Sequence, residues 1–459
     1  MPGTRPGMTK EESHVPRRAI VGWVLFDWAA QPFFTLIITF VYAPYFASVI
    51  APDPVRGQAL WGFATAAAGF TVALLSPVLG AIADASGRRK PWIAVFTVLV
   101  VIGSTLLWLG RPGDASVIPI VLAAYAIGVV GVEFAGVFTN AMMPSLVPPE
   151  RLGRLSGTGW AVGYVGGIIA LIIVLGFLAA NPQTGKTLLG MPPLFGLDPA
   201  LREGDRAVGP LSAVWLVVFI LPLFLFTPDR PAGLPLGEAV SHGLRMLGET
   251  LRRLPGHRNV AVFLLAQMIC ADALLALFAF GGIYAAGTFG WTTIQIGLFG
   301  ILLVITATIG AYLGGKLDDR VGPKPVMLGS LLILLVATAA ILSTGRDHIL
   351  FVVPAAPPVT GGALFASTPE RFFIAIGLFI GLAAGPLQAA ARTLLVRLAP
   401  AGKITQFFGL FALSGKVTSF SGPLLVGLVT TAFASQRAGM MVLVVFFAVG
   451  ALVLSRVKI

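Results

Sequence analysis

Five ionisable side chains, Asp27, Glu133, Asp272, Arg392 and Lys416, sit inside long apolar runs of this chain. Burying each in a bilayer costs about 2.5–3.5 kcal/mol on insertion scales, so such residues are functional candidates by default. Carboxylates and an ammonium group in one apolar enclosure can hold a small solute bearing complementary charges, and a carboxylate there can also carry a proton. Other chemistries lack their residues. No phosphate-binding Gly-x-x-x-x-Gly-Lys-[Ser/Thr] is present, His14, His242, His257 and His348 fall in loops or tails without metal-ligand spacing, and Cys270 is the single cysteine. Neither a metal, nor a cofactor, nor an enzymatic activity is expected.

The elements that must hold these charges are membrane helices. Of 459 residues, 57% are hydrophobic and only 11% charged, with a mean hydropathy of +0.92. A soluble domain carries about 25% charged residues. At roughly 20 residues per span, there is room for twelve. Apolar windows run over 20–47, 58–81, 92–109, 117–143, 155–180 and 210–226, and again over 260–287, 293–313, 325–342, 372–398, 407–433 and 440–454. The expected organisation is a polar cytoplasmic tail (1–19), a six-helix half (20–226), a basic linker (227–259) and a second six-helix half (260–459). In the linker, Val240, Leu244, Leu247, Leu251 and Leu254 recur at helical spacing among Arg245, Arg252 and Arg253, which predicts an amphipathic helix on the membrane face. The window 349–366 is apolar, but Pro354, Pro357 and Pro358 exclude a lipid-exposed helix, leaving an external loop or a re-entrant insertion. No cleavable leader follows from the N-terminal pattern.

Sidedness follows from the basic residues. With the N-terminus inside, most of the 31 Lys and Arg fall in cytoplasmic segments, so both termini are expected there. The net charge of +12 is thus a topology signal, and no nucleic-acid partner is implied. At ~1.5 Å of rise per residue, Asp27 lies ~10 Å, Lys416 ~13 Å, Gln31 ~16 Å and Asp272 ~18 Å in from the cytoplasmic side. That is the central zone where transporters bind solutes. Counted from outside, Glu133 is ~24 Å deep, while Arg392 and Asn140 are ~30 Å and ~34 Å deep, at the cytoplasmic rim.

The two halves repeat. A shift of 252 residues superposes Pro148 on Pro400, Arg151 on Lys403, Gly157 on Gly409 and Gly163 on Gly415, pairing Asn140 with Arg392 and Tyr164 with Lys416. Between the second and third windows lies Gly80-Ala-Ile-Ala-Asp84-Ala-Ser-Gly87-Arg88-Arg89-Lys90, and between the eighth and ninth Gly315-Lys-Leu-Asp318-Asp319-Arg-Val-Gly322. An acid at a helix end can cap a neighbouring helix or pair with a cation, and the second glycine permits a tight turn.

This doubled motif resembles the cytoplasmic loop signature of the major facilitator superfamily. Phe26-Asp27-Trp28-Ala29, Ser156-Gly157-Thr158-Gly159-Trp160 and Phe407-Phe408-Gly409-Leu410 are similar to the vacuole-effluxer-like branch of that superfamily, with Ala30, Ala273 and Ala391 as departures from its usual pattern. The resemblance implies an all-α fold of twelve transmembrane helices in two repeats and a monomeric secondary transporter working by alternating access. Gly80, Asp84, Gly87, Arg88, Asn140, Asp319 and Arg392 are expected at the cytoplasmic gate. Asp27, Gln31, Tyr164, Asp272 and Lys416 are expected to bind the solute, with Asp27, Glu133 and Asp272 handling protons. Carboxylates and an amine in one cavity suit a zwitterion such as an amino acid, and the family implies efflux; the composition, rich in Ala, Gly and Arg, points to a bacterial inner membrane. The alternatives are efflux of drugs or other amphiphiles, which a mainly aromatic cavity would favour, and a non-transporting scaffold or sensor.

Overall fold

The computed structural model describes residues 15–253, 256, 258–291, 293–358, 364–400 and 402–458. Most of the polar N-terminal tail, and Leu254 of the linker, lie outside the described residues.

Among the described residues, twelve helices are long and apolar enough to cross a membrane. In the first half, spans 1 to 6 are Arg17–Ile50, Arg56–Ser86, Lys90–Leu109, Ala115–Ser145, Pro149–Leu178 and Glu203–Phe226. Spans 7 to 12 are Arg258–Phe289, Gln295–Val321, Pro323–Leu342, Thr368–Leu398, Ile404–Phe433 and Gln436–Ser455. Their ends extend beyond the apolar windows because polar residues supply the caps. Asp53 accepts the Arg56 N–H at 2.9 Å at the head of span 2, and Ser367 with Glu370 forms a capping box at the head of span 10. Gly87 and Gly322, which follow spans 2 and 8, have φ of 80° and 86°, so the repeated motif glycine is required by backbone conformation.

Each half has its own core. One apolar cluster joins residues between Trp23 and Leu223, and a second is built mainly from residues between Val260 and Val457. Spans 1 and 11 are interrupted within their length. Span 1 loosens into a π-helical stretch over Phe33–Phe40, directly after Pro32, whose missing N–H interrupts the regular ladder. Span 11 is broken: it is helical over Ile404–Lys416, turns through 417–420, and resumes over Ser421–Phe433. A continuous helix over 407–433, as the hydropathy suggests, is thus corrected. Pro423 has no N–H to offer the Ser419 carbonyl, and Gly415 and Gly422 weaken the helix on either side.

The linker does form a helix, Leu236–Arg253, but its buried face differs from the expected one. Ala239, Gly243, Leu247 and Thr250 are buried, whereas Val240 and Leu244 are exposed. A Cβ on Gly243 would come within 2.9 Å of Ile82, so this helix docks on span 2 as well as presenting apolar residues outward. Within 349–366, the described residues form a short hairpin of His348–Ile349 and Val353–Pro354, not a thirteenth span.

Candidate functional site

The two halves meet at the end of the bundle that carries the repeated motif, here called the motif end. Asp84 on span 2 accepts the backbone N–H groups of Thr405 at 3.2 Å and Gln406 at 2.8 Å, the second and third helical residues of span 11. Asp319 on span 8 accepts the N–H of Arg154 at 2.9 Å, the third helical residue at the start of Leu152–Ile173 in span 5. The 252-residue repeat maps Arg154 onto Gln406. Each half therefore uses its motif carboxylate to cap a helix of the other half, where cap and helix dipole together contribute about 1–2 kcal/mol.

The basic residue at this contact is Arg89, not the Arg88 expected from the motif. Gly87 turns the chain so that Arg88 is exposed, while Arg89 is 1% exposed and donates to the Thr405 hydroxyl at 3.0 Å, with Asp84 at 3.6 Å. Burial lowers the Arg89 guanidinium pKa to about 10. Asp229 of the linker accepts the N–H groups of Arg89 and Lys90, tying the linker to the same cluster. Around it the backbones touch. A Cβ on Gly80 would lie 2.6 Å from the Thr405 carbonyl, and one on Gly157 would lie 2.7 Å from Gly315 Cα. Gly157→Leu is therefore expected to wedge spans 5 and 8 apart. On a Cys270→Ala background, a cysteine at Ala389, buried here, should then react with an impermeant thiol reagent added from the motif end, and should be protected when Gly157 is retained.

Just inside this seal lies Arg392, 4% exposed on span 10. A guanidinium has five N–H donors, and here all five hydrogen bonds are made. Nε donates to the Ser156 hydroxyl at 3.1 Å and Nη2 to the Ser156 carbonyl at 3.0 Å. Nη1 reaches Asn140 at 2.8 Å, and both terminal nitrogens reach Asp27 Oδ2 at 3.3 Å. Trp160 and Trp23 lie 5.2 Å and 5.8 Å from the guanidinium carbon, within cation–π range. Asp27 thus belongs to the floor with Arg392, not with Asp272 and Lys416 as depth alone suggested. Span 5 comes so close to span 1 here that a Cβ on Gly159 would lie 2.6 Å from Asp27 Oδ2.

Further from the motif end, two more polar links join the halves, and the repeat relates them. Lys416 Nζ on span 11 lies 2.8 Å from Glu133 on span 4. Its repeat counterpart Tyr164 on span 5 accepts from Gln388 on span 10 at 3.3 Å. The Lys416 and Glu133 side chains remain 31% and 24% exposed, far more than Arg392 in its cluster. Lys416 is also the last residue of the first segment of span 11, where the helix dipole favours a cation. Gln31 is half-buried and turned toward Thr35, 3.5 Å away. Asp272, by contrast, is 3% exposed behind the break in span 11 and accepts from Ser421 at 2.6 Å. It is therefore enclosed where Lys416 and Glu133 are part-exposed. Among the described residues no group of His, Cys, Asp and Glu is suited to a metal in the usual three-ligand sense.

A family model described as Vacuole effluxer Atg22 like matches residues 54–459. The chain belongs to this family. Among curated relatives of the Atg22-like chain, the uncharacterized MFS-type transporter YxiO of Bacillus subtilis is 24% identical over 442 residues, covering 94% of this chain and 93% of that protein. Autophagy-related protein 22 of Cryptococcus neoformans is 27% identical over 317 residues, 67% of this chain but only half of the fungal protein. Solved structures with the same fold include the major facilitator transporter FucP in its outward conformation (TM-score 0.70, 16% identity, 98% of this chain and all of that one). The proton:xylose symporter XylE also matches, with a TM-score of 0.66 at 15% identity, over 96% of this chain and 95% of that one. This Atg22-like protein is a multi-pass membrane transporter of the major facilitator superfamily, not an enzyme.

Several site residues carry no signal that sequence reading could use. Ser156 and Thr405 are short hydroxyl side chains in helices, which read as packing. Asp318, buried with Thr393 and Arg397 as partners, sits beside the motif aspartate and is masked by it. Gln388 could have been found from the repeat, since it lies one turn before Arg392 on the same face.

Proposed function

We propose that this transporter moves a small zwitterion of the amino-acid class, by efflux, across a bacterial plasma membrane, with protons as the driving ion. The observation that carries the proposal is the Lys416–Glu133 pair, a part-exposed ammonium and carboxylate held 2.8 Å apart on opposite halves at the break in span 11. A solute carboxylate would take Lys416 from Glu133. The solute ammonium would find Glu133, with Tyr164, Gln388 and Gln31 offering neutral hydrogen bonds nearby. A Glu133 freed from Lys416 and left without a cation takes up a proton, which ties solute movement to proton movement.

Alternating access in this reading uses the contacts between halves. Asp84, Asp319, Gly80, Gly157 and the Arg392 cluster would form the cytoplasmic gate, and the contacts they make between halves correspond to its closed state. Opening it means breaking both helix caps and the Asp27–Arg392 pair, and solute bound between Lys416 and Glu133 would offset part of that loss. The family description as an effluxer supports the direction. Charges at the centre argue against a cavity built for apolar drugs, and a scaffold would not need to keep them.

Flux tests the reading. Purified protein in proteoliposomes under a pH gradient is expected to exchange radiolabelled amino acids and to acidify or alkalinise the lumen in step. Flux of another solute class with none of any amino acid would refute the substrate assignment.

A further inference from the structure

Asp272 is the buried acid that the transport reading leaves unused. Its Oδ2 accepts from the Ser421 hydroxyl at 2.6 Å, within the short range seen when the acceptor is ionised. Its Oδ1 is buried with no hydrogen-bond partner among the described residues, and no backbone N–H of the resumed helix Ser421–Phe433 is bonded to this carboxylate. The second hydroxyl of the break, Thr418 Oγ1, is likewise buried and lies close enough to interact with the same carboxylate, though outside hydrogen-bond geometry. The position is fixed by close packing, since a Cβ on Gly422 would lie 2.6 Å from the Asp272 carbonyl oxygen. The turn over 417–420 is held by short-range bonds, Ser419 N–H to the Lys416 carbonyl at 3.3 Å and Ser421 N–H to the Thr418 carbonyl at 2.7 Å, instead of a continuous helical ladder.

Span 11 therefore brings a carboxylate oxygen on span 7 together with two hydroxyl oxygens at an interrupted helix, and every ligand atom is a hard oxygen. An ionised carboxylate oxygen out of water with no donor is strongly unfavourable unless a cation compensates it. A single carboxylate supplies one negative charge, which suits a monovalent ion. Calcium sites gather several carboxylates and carbonyls, and magnesium keeps its own waters. Broken membrane helices are where transporters of several folds coordinate such ions.

We propose that Asp272, Thr418 and Ser421 form a binding site for a monovalent metal cation of sodium size. Lys416 and Ser421 bracket the same short turn, so an ion held there fixes the end of the helix that presents Lys416. The site would act as a second coupling point, separate from the proton at Glu133. It stands whether or not the solute is an amino acid, because the test contains no solute.

Thermal unfolding of the purified full chain in detergent, at fixed pH and ionic strength with sodium chloride replacing choline chloride, reads the site directly. The expected result is a saturable rise in Tm with sodium. Ser421→Ala and Thr418→Val should move its midpoint to higher sodium, and Asp272→Asn should remove it. Should Asp272→Asn fail to fold, the two hydroxyl variants still decide the matter. A wild-type Tm that is the same in sodium and choline would overturn the proposal and leave Asp272 as a protonated acid. So would a sodium response that is unchanged in both hydroxyl variants.

Discussion

Arg392→Met is expected to lower stability by about 3 kcal/mol, the lower end for breaking a buried ion pair, and to abolish transport. The lower end applies because Asp27, the carboxylate left behind, keeps 22% of its side-chain surface exposed and can recover some hydration. The loss is still large, since five hydrogen bonds go together and Asn140 and Ser156 lose their shared donor. Arg392→Lys should not rescue it, because an ammonium has three donors and no planar face to set against Trp23 and Trp160. Asp27→Asn combined with Arg392→Met should recover part of the stability without recovering transport. Chemical unfolding of the three variants, read as a double-mutant cycle, should give a coupling within about 0.5–3 kcal/mol for residues in direct contact. Additive effects would mean that Asp27 and Arg392 act independently.

Lys416→Met should behave in the opposite way: stability changes by less than about 1 kcal/mol, as for other water-reached ion pairs, while solute binding falls by at least roughly tenfold. The difference rests on exposure. Arg392 is enclosed by its partners, whereas Lys416 and Glu133 are part-exposed and would exchange their partners without dismantling a core. The same contrast separates a transporter from a scaffold, since a scaffold would show neither effect at Lys416.

The fold was legible because its signals are long. Most apolar windows approach or exceed the length a bilayer demands, and all twelve match the spans to within a few residues at most ends. The helix-capping role open to Asp84 was legible as well, since an acid four residues after one glycine and three before another ends a helix and turns the chain. The partner was not, because span 11 is more than 300 residues away and nothing local points to it. For the same reason depth estimates grouped Asp27 with Lys416: helical rise gives height in the membrane, but not which face of span 1 a side chain occupies. Choosing Arg88 over Arg89 failed at a smaller scale, through the positive φ of Gly87. The break in span 11 was hidden by composition. Gly415, Gly422 and Pro423 are all compatible with a membrane helix, and the close approach of Gly422 to Asp272 on span 7 is a tertiary contact that composition does not announce.

The central claim is that a solute carboxylate competes with Glu133 for Lys416. Isothermal titration of amino acids into wild type, Glu133→Gln and Lys416→Met tests it most directly. The account predicts undetectable binding in Lys416→Met and, in Glu133→Gln, a carboxylate-bearing ligand that no longer needs to displace a rival and no longer gains from carrying an ammonium group. Binding to Lys416→Met with wild-type affinity, or an amino acid still preferred over its deaminated acid in Glu133→Gln, would contradict it.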